Sequence, residues 1–274
     1  RFVISCRATL CPDNRDGFFD GSAAGGAPDA AGGELPAAKV IKGGGPGAVM
    51  DRRAAEAPID ASTYDLVTPV GELQVRIAAA KRQGWFAFDT ETNSLDAMSA
   101  DLVGFSISMV PGKACYVPLG PGTPNDGFHL GDREDAVQIP TDEALALIKP
   151  LLADPSVLKV GQNIKYDLLI LANADLPVAG VYFDTMVASY CLNADRRSHS
   201  MDNMARAFLG YETIPITDLI GKGRNQITFD QVDTSTAYEY AAEDADITWQ
   251  LYKYLADKLD QNHDIKELFE TVEM

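Results

Sequence analysis

The run Phe86-Ala87-Phe88-Asp89-Thr90-Glu91 constrains this chain more than any other stretch. Its first half is apolar enough for a core, and its second half sets two carboxylates two positions apart. Residues i and i+2 of a strand point to one face, so Asp89 and Glu91 should project together where a buried strand ends. Two like charges side by side repel unless a cation sits between them. Phe86 and Phe88 favour a metal site over a merely polar strand end.

Around that strand the pattern is of an α/β domain. Leu73, Ile77 and Ala80 predict a helix over Gly71 to Arg82, capped at Thr68 and Pro69. Trp85 to Asp89, Leu102 to Val110 and Ala114 to Val117 read as three consecutive antiparallel strands, with Pro111-Gly112 turning between the last two. Pro118 to Asp135 reads as a Gly/Pro-rich surface loop. Asp142 to Leu152 reads as a helix capped by Thr141, with Pro150 marking its end or a kink. A strand at Val157 to Val160, a helix from Asn163 to Asn173 and a strand at Val181 to Phe183 follow. Asp184 or Thr185 should cap the next helix, and from Met201 onward the chain reads as helical, longest over Thr234 to Leu259. The expected architecture is a mixed central sheet flanked by helices.

Residues 1 to about 62 are rich in Gly, Ala and Pro and lack apolar periodicity, the texture of a linker or disordered segment. The glycines at 43–45 lack the leading strand and the closing Gly-Lys-Ser/Thr of a phosphate loop. No apolar run is long enough to span a bilayer, and no leader opens the chain. The expectation is a cytoplasmic protein without a membrane partner, and Arg1 in first place suggests a fragment. Cys6, Cys11, Cys115 and Cys191 lack metal-site spacing and read as reduced thiols. A formal charge of −17 argues against a broad basic face for duplex DNA. Clustered carboxylates can still attract divalent cations, which in turn attract phosphate.

Two further motifs carry carboxylates. Gly161-Gln162-Asn163-Ile164-Lys165-Tyr166-Asp167 puts Asp167 in a first helical turn near the sheet's edge, where an Asp can simply favour the helix dipole. Tyr240 and Asp244 are four apart and share a helix face, and Ala241, Ala242 and Ala245 would let that helix lie close to a sheet. Asp246 should point elsewhere, toward backbone or solvent. Glu243 is off the centre of the face, and either can belong to an ordinary charged surface.

The three motifs, with Phe183-Asp184-Thr185-Met186 and the Gly221 to Gln226 segment between them, resemble the 3′→5′ proofreading exonuclease domain of bacterial family A DNA polymerases, the DNA polymerase I type. That family belongs to the DnaQ-like, ribonuclease H-like superfamily, and Tyr240 resembles its tyrosine-bearing branch. The resemblance covers about residues 64 to 274: an exonuclease domain over 63–262, then the start of a polymerase domain over 263–274. It implies two divalent ions, Mg2+ or Mn2+. Asp89 would bridge them, Glu91 and Asp244 would complete the first site, and Asp167 would help hold the second. Hard oxygen ligands suit those ions. Such a pair, roughly 3.5–4 Å apart, generates hydroxide on one side and steadies the leaving 3′ oxygen on the other.

The resemblance further implies that Tyr240 orients the attacking water; a free tyrosine pKa near about 10 disfavours it as the base. The substrate would be a single-stranded DNA 3′ end, and the product a nucleoside 5′-monophosphate. Thr92, Leu95 and Asn163 match positions near the terminal nucleotides. Lys222, Arg224, Arg196 and Arg197 are either phosphate contacts or solvated charges. Ile216 stands where some relatives carry a stacking aromatic. The partner would be the polymerase domain of a parent chain. Two alternatives are a ribonuclease D-type RNA exonuclease and a catalytically silent module bracing a polymerase, the latter opposed by the presence of all four carboxylates.

Overall fold

The computed structural model describes residues 59–120 and 138–274. Most of the expected linker, Cys6, Cys11 and most of the expected loop over Pro118 to Asp135 lie outside the described residues. Ile59 packs in the core, and Asp60 caps a turn at Ala61–Thr63.

Among the described residues, seven strands form one sheet. These are β1 (Asp65–Leu66), β2 (Trp85–Thr92), β3 (Leu102–Val110), β4 (Lys113–Gly120), β5 (Ile139–Pro140), β6 (Leu158–Gly161) and β7 (Val181–Asp184). Their order is β1-β4-β3-β2-β6-β7, with β5 paired to β4. The meander β2-β3-β4 is antiparallel and β6 and β7 add in parallel, the mixed sheet expected. Gly112 makes the β3–β4 turn at φ 71°, a left-handed conformation that costs a glycine little.

The helices are α1 (Val70–Gln83), α2 (Thr141–Leu152), α3 (Lys165–Asn173), α4 (Thr185–Leu192), α5 (Met201–Met204), α6 (Ile216–Ile220), α7 (Thr234–Asp260) and α8 (His263–Leu268). Several ends differ from expectation for local reasons. Pro69 occupies the first cap and makes no side-chain bond there, so Thr68 does not cap α1. Thr141 does not cap α2, because its hydroxyl donates to the Gly120 carbonyl at 2.7 Å. Helix α3 starts at Lys165 because Asn163 takes a left-handed φ of 54°. Asp184 caps α4, accepting from the Met186 and Val187 amides. The stretch between Met204 and Thr234 is broken helix, with a wide turn over Ala205–Leu209 closed by Gly210 at φ 68°.

The alternation along β2 divides the core. Phe86 and Phe88 pack with Leu73, Ile148 and Leu151 under α1 and α2, while Ala87 packs with Ile247 and Leu251 of α7 on the other side. Asp89 and Glu91 follow Ala87 at period two, so they inherit the face toward α7. Strand β2 runs past Asp89 to Thr92, and its pairing with β3 shifts register between Glu91 and Thr92. Such irregularities re-aim side chains at a strand end.

Candidate active site

Three carboxylates converge above β2. Single oxygens of Asp89, Glu91 and Asp244 all lie within 4.8 Å of one another. The approach is possible because Ala241, Ala242 and Ala245 are fully buried and bring α7 close to the sheet. Burial, followed by Asp167, Asp244 and Glu91, holds Asp89 well above the usual carboxylate range. Burial and then Asp244 and Asp167 do the same to Glu91, and burial and then Glu243 raise Asp244. Glu91 Oε1 is buried and has no hydrogen-bond partner among the described residues. A buried oxygen without a donor, inside a set of hard anionic ligands, is what a divalent cation fits.

Asp167 stands beside this trio and is held differently. Its Oδ1 accepts the Thr90 amide at 2.9 Å and the Thr90 hydroxyl at 2.6 Å. The pairing of β6 with β2 stops at Ala87, so the Thr90 amide lies beyond that ladder and Asp167 supplies its acceptor. Burial pushes the Asp167 carboxyl up to about 7, although both Thr90 bonds pull it down. The Tyr240 hydroxyl lies beside Asp244, and burial first, then Asp244, pushes its ionisation well above the ordinary tyrosine value.

A 3′-5′ exonuclease family profile matches residues 64–260. The chain belongs to the 3′-5′ exonuclease family. DNA polymerase I of Pseudomonas aeruginosa is 41% identical over 223 residues, covering 80% of this chain and 23% of that protein. DNA polymerase I of Rhizobium leguminosarum is 40% identical over 255 residues, covering 86% of this chain and 25% of that protein. The chain thus spans about a quarter of the length of these relatives. Among solved structures, the Aedes aegypti Nibbler EXO domain matches with a TM-score of 0.55 at 14% identity, over 77% of this chain and 97% of that one. Brucella melitensis NrnC with bound Mg2+ matches with a TM-score of 0.51 at 19% identity, over 74% and 84%. These two share the fold. No helix among the described residues is long and apolar enough to cross a membrane.

Two carboxylates of the exonuclease domain depart from the charged surface that helical spacing allowed for them, while Asp246 meets backbone as the other expectation had it. Glu243 and Asp246 are fully buried rather than part of a charged surface. Glu243 accepts from the Tyr211 hydroxyl at 2.6 Å and the Ile214 amide at 2.7 Å. Asp246 accepts from the Tyr64 hydroxyl, the Gly112 amide and Gln250, each at 2.9 Å. Helical spacing could place both off the Tyr240 face but could not reveal partners 29 to 182 positions away.

The remaining candidates scatter around the cluster. Thr92 donates to the Ser94 carbonyl at 2.9 Å and lies 2.6 Å from the Tyr166 hydroxyl. Leu95 follows on the same loop and is 98% exposed. Asn163 is exposed, as are Lys222 and Arg224, which Gly221 and Gly223 flank at positive φ. Arg196 is not a free cation, because its guanidinium donates to the Ser198 and Asn203 carbonyls and stacks 4.5 Å over Phe208. Arg197 is exposed, and Ile216 is half-buried in the apolar cluster that contains Tyr240.

Proposed function

We propose that this exonuclease domain hydrolyses the terminal phosphodiester of a single-stranded DNA 3′ end, releasing nucleoside 5′-monophosphates. The observation that carries this reading is the convergence of Asp89, Glu91 and Asp244 around the unpartnered Glu91 Oε1. Asp89, Glu91 and Asp244 would hold one divalent ion, and Asp89 with Asp167 a second; magnesium and manganese suit such oxygens. When bound, such ions supply Lewis-acid stabilisation of charge on the phosphoryl group.

The chain's own groups account for the rest. Tyr240 stays protonated at neutral pH, so it serves as a donor that orients the attacking water rather than as the base. The water oxygen bonds to phosphorus, the bond from phosphorus to the 3′ oxygen breaks, and that oxygen leaves with a proton. Thr92, Leu95 and Asn163 would receive the terminal nucleotides, and exposed Lys222 and Arg224 would contact phosphates of the incoming strand. The similarity to DNA polymerase I supports a place beside a polymerase domain, where the reaction would remove misincorporated ends.

The test is incubation of the chain with a 5′-labelled single-stranded DNA, and a matched RNA, with magnesium or with a chelator. A ladder shortening from the 3′ end only in magnesium, and faster on DNA, is expected. Unshortened DNA in magnesium contradicts the proposal, and preference for RNA supports the ribonuclease D-type alternative.

A further inference from the structure

Glu243 is a fully buried carboxylate that the proposed chemistry does not use, one position from Asp244. Its oxygens accept from two donors of one segment, the Tyr211 hydroxyl and the Ile214 amide. That segment leaves the wide turn at Gly210 and leads through Pro215 into α6 and then Gly221-Lys222-Gly223-Arg224. Its other side chains tie back to the preceding helical stretch: Glu212 to Arg206, and Thr213 to Asp202. Ile216, Leu219 and Ile220 beyond it pack in the apolar cluster that includes Ala241 and Tyr240. Among the described residues, the bonds to Glu243 therefore link α7, which bears Tyr240 and Asp244, to the root of a loop that presents two exposed cations in a strongly acidic chain.

We propose that Glu243 is a positioning residue for strand engagement: its buried carboxylate fixes the 211–214 segment to α7 and so holds Ile216 in the apolar cluster with Tyr240, and with it the root of the Lys222–Arg224 loop that follows. This rests on the single-strand exonuclease reading above. Lost bonds at Glu243 would loosen the strand-facing loop while leaving the carboxylates on β2 and α7 where they are. Uniform binding would fall and the chemical step would not.

The test measures steady-state hydrolysis of a short single-stranded DNA in magnesium, and manganese affinity in the absence of DNA, for the full chain and three variants. Glu243→Ala should raise KM about tenfold, with kcat within about threefold and manganese affinity unchanged. Glu243→Gln should recover most of that loss, because its amide oxygen can accept from Ile214 and its amide nitrogen can donate to the Tyr211 oxygen. Tyr211→Phe should raise KM to an intermediate degree, and it carries the test with Glu243→Gln if the alanine variant does not fold. A fall in kcat or manganese affinity at unchanged KM overturns the proposal, as does a Gln variant as damaged as the Ala variant. A wild-type chain that leaves the DNA intact sinks the exonuclease reading itself, and the tether with it.

Discussion

Thr90 grips Asp167 twice through one oxygen, with its amide at 2.9 Å and its hydroxyl at 2.6 Å from Oδ1. Thr90 lies between Asp89 and Glu91, so the strand that carries two carboxylates also sets the rotamer of a third from a different element. Thr90→Val keeps the amide bond and the side-chain volume but deletes the hydroxyl bond. Hydrogen bonds to charged groups are worth about 1.5–3 kcal/mol, so hydrolysis should slow by about tenfold or more. Thr90→Ser should restore it. Manganese titration of both variants checks that the loss lies in cation binding at Asp167; equal rates for Val and wild type would remove this role.

Asp244→Asn removes one charge from a partly buried, mutually repelling group. Hydrolysis should be abolished. In chelator the variant should nonetheless melt above wild type, because the repulsion it relieves destabilises the metal-free fold. Each 1 kcal/mol gained should appear as about 2–4 °C in Tm. A variant that melts lower than wild type in chelator contradicts the electrostatic account.

Asp167 gives a pH signature with a definite sign. Its carboxyl titrates at about 7 in the fold, above its ordinary value of 3.8, so the folded state binds the proton more tightly. Stability from this group is fully present below about pH 4 and is lost as pH rises through about 7. Asp89, Glu91 and Asp244 are raised as well and act in the same direction. The metal-free chain should therefore melt lower at pH 8 than at pH 6, and added manganese should narrow the difference. Thermal melts across that range, with and without the cation, measure it.

The closeness of α7 to the sheet depends on small side chains. Ala241→Leu adds bulk at a fully buried position in the cluster that contains Tyr240. Overpacking of this kind costs about 1–3 kcal/mol. It should also move Asp244 away from Asp89 and Glu91, so manganese affinity should fall along with Tm. A variant that loses stability but keeps full manganese affinity would mean the helix position is not what assembles the cluster.

Tyr240→Phe keeps the ring and deletes the hydroxyl beside Asp244. Hydrolysis should slow while manganese binding remains, as expected of a residue that orients water. Loss of manganese binding in this variant would assign the hydroxyl to the metal site instead.

Much of this arrangement was legible in the sequence because it follows short-range periodicity. Period two places Asp89 and Glu91 on one face, and the four-residue spacing places Tyr240 with Asp244. The apolar runs give the β2-β3-β4 meander and its turn at Gly112. What the sequence hid depends on long-range contacts. Buried Glu243 and Asp246 look like surface charges until Tyr211, Ile214, Tyr64 and Gly112 arrive from elsewhere in the chain. Thr141 differs from the expected cap for the same reason: it bonds the Gly120 carbonyl, 21 positions away, which local pattern does not bring near. The broken helix between Met204 and Thr234 has weak periodicity, and Gly210 closes its first turn in a conformation that sequence spacing does not mark.

The most direct measurement is anomalous diffraction from crystals of the chain soaked in manganese. The account predicts manganese bonded to oxygens of Asp89, Glu91 and Asp244, with Glu91 Oε1 gaining the partner it lacks. Crystals saturated with the cation that show no anomalous peak among those three side chains would contradict it.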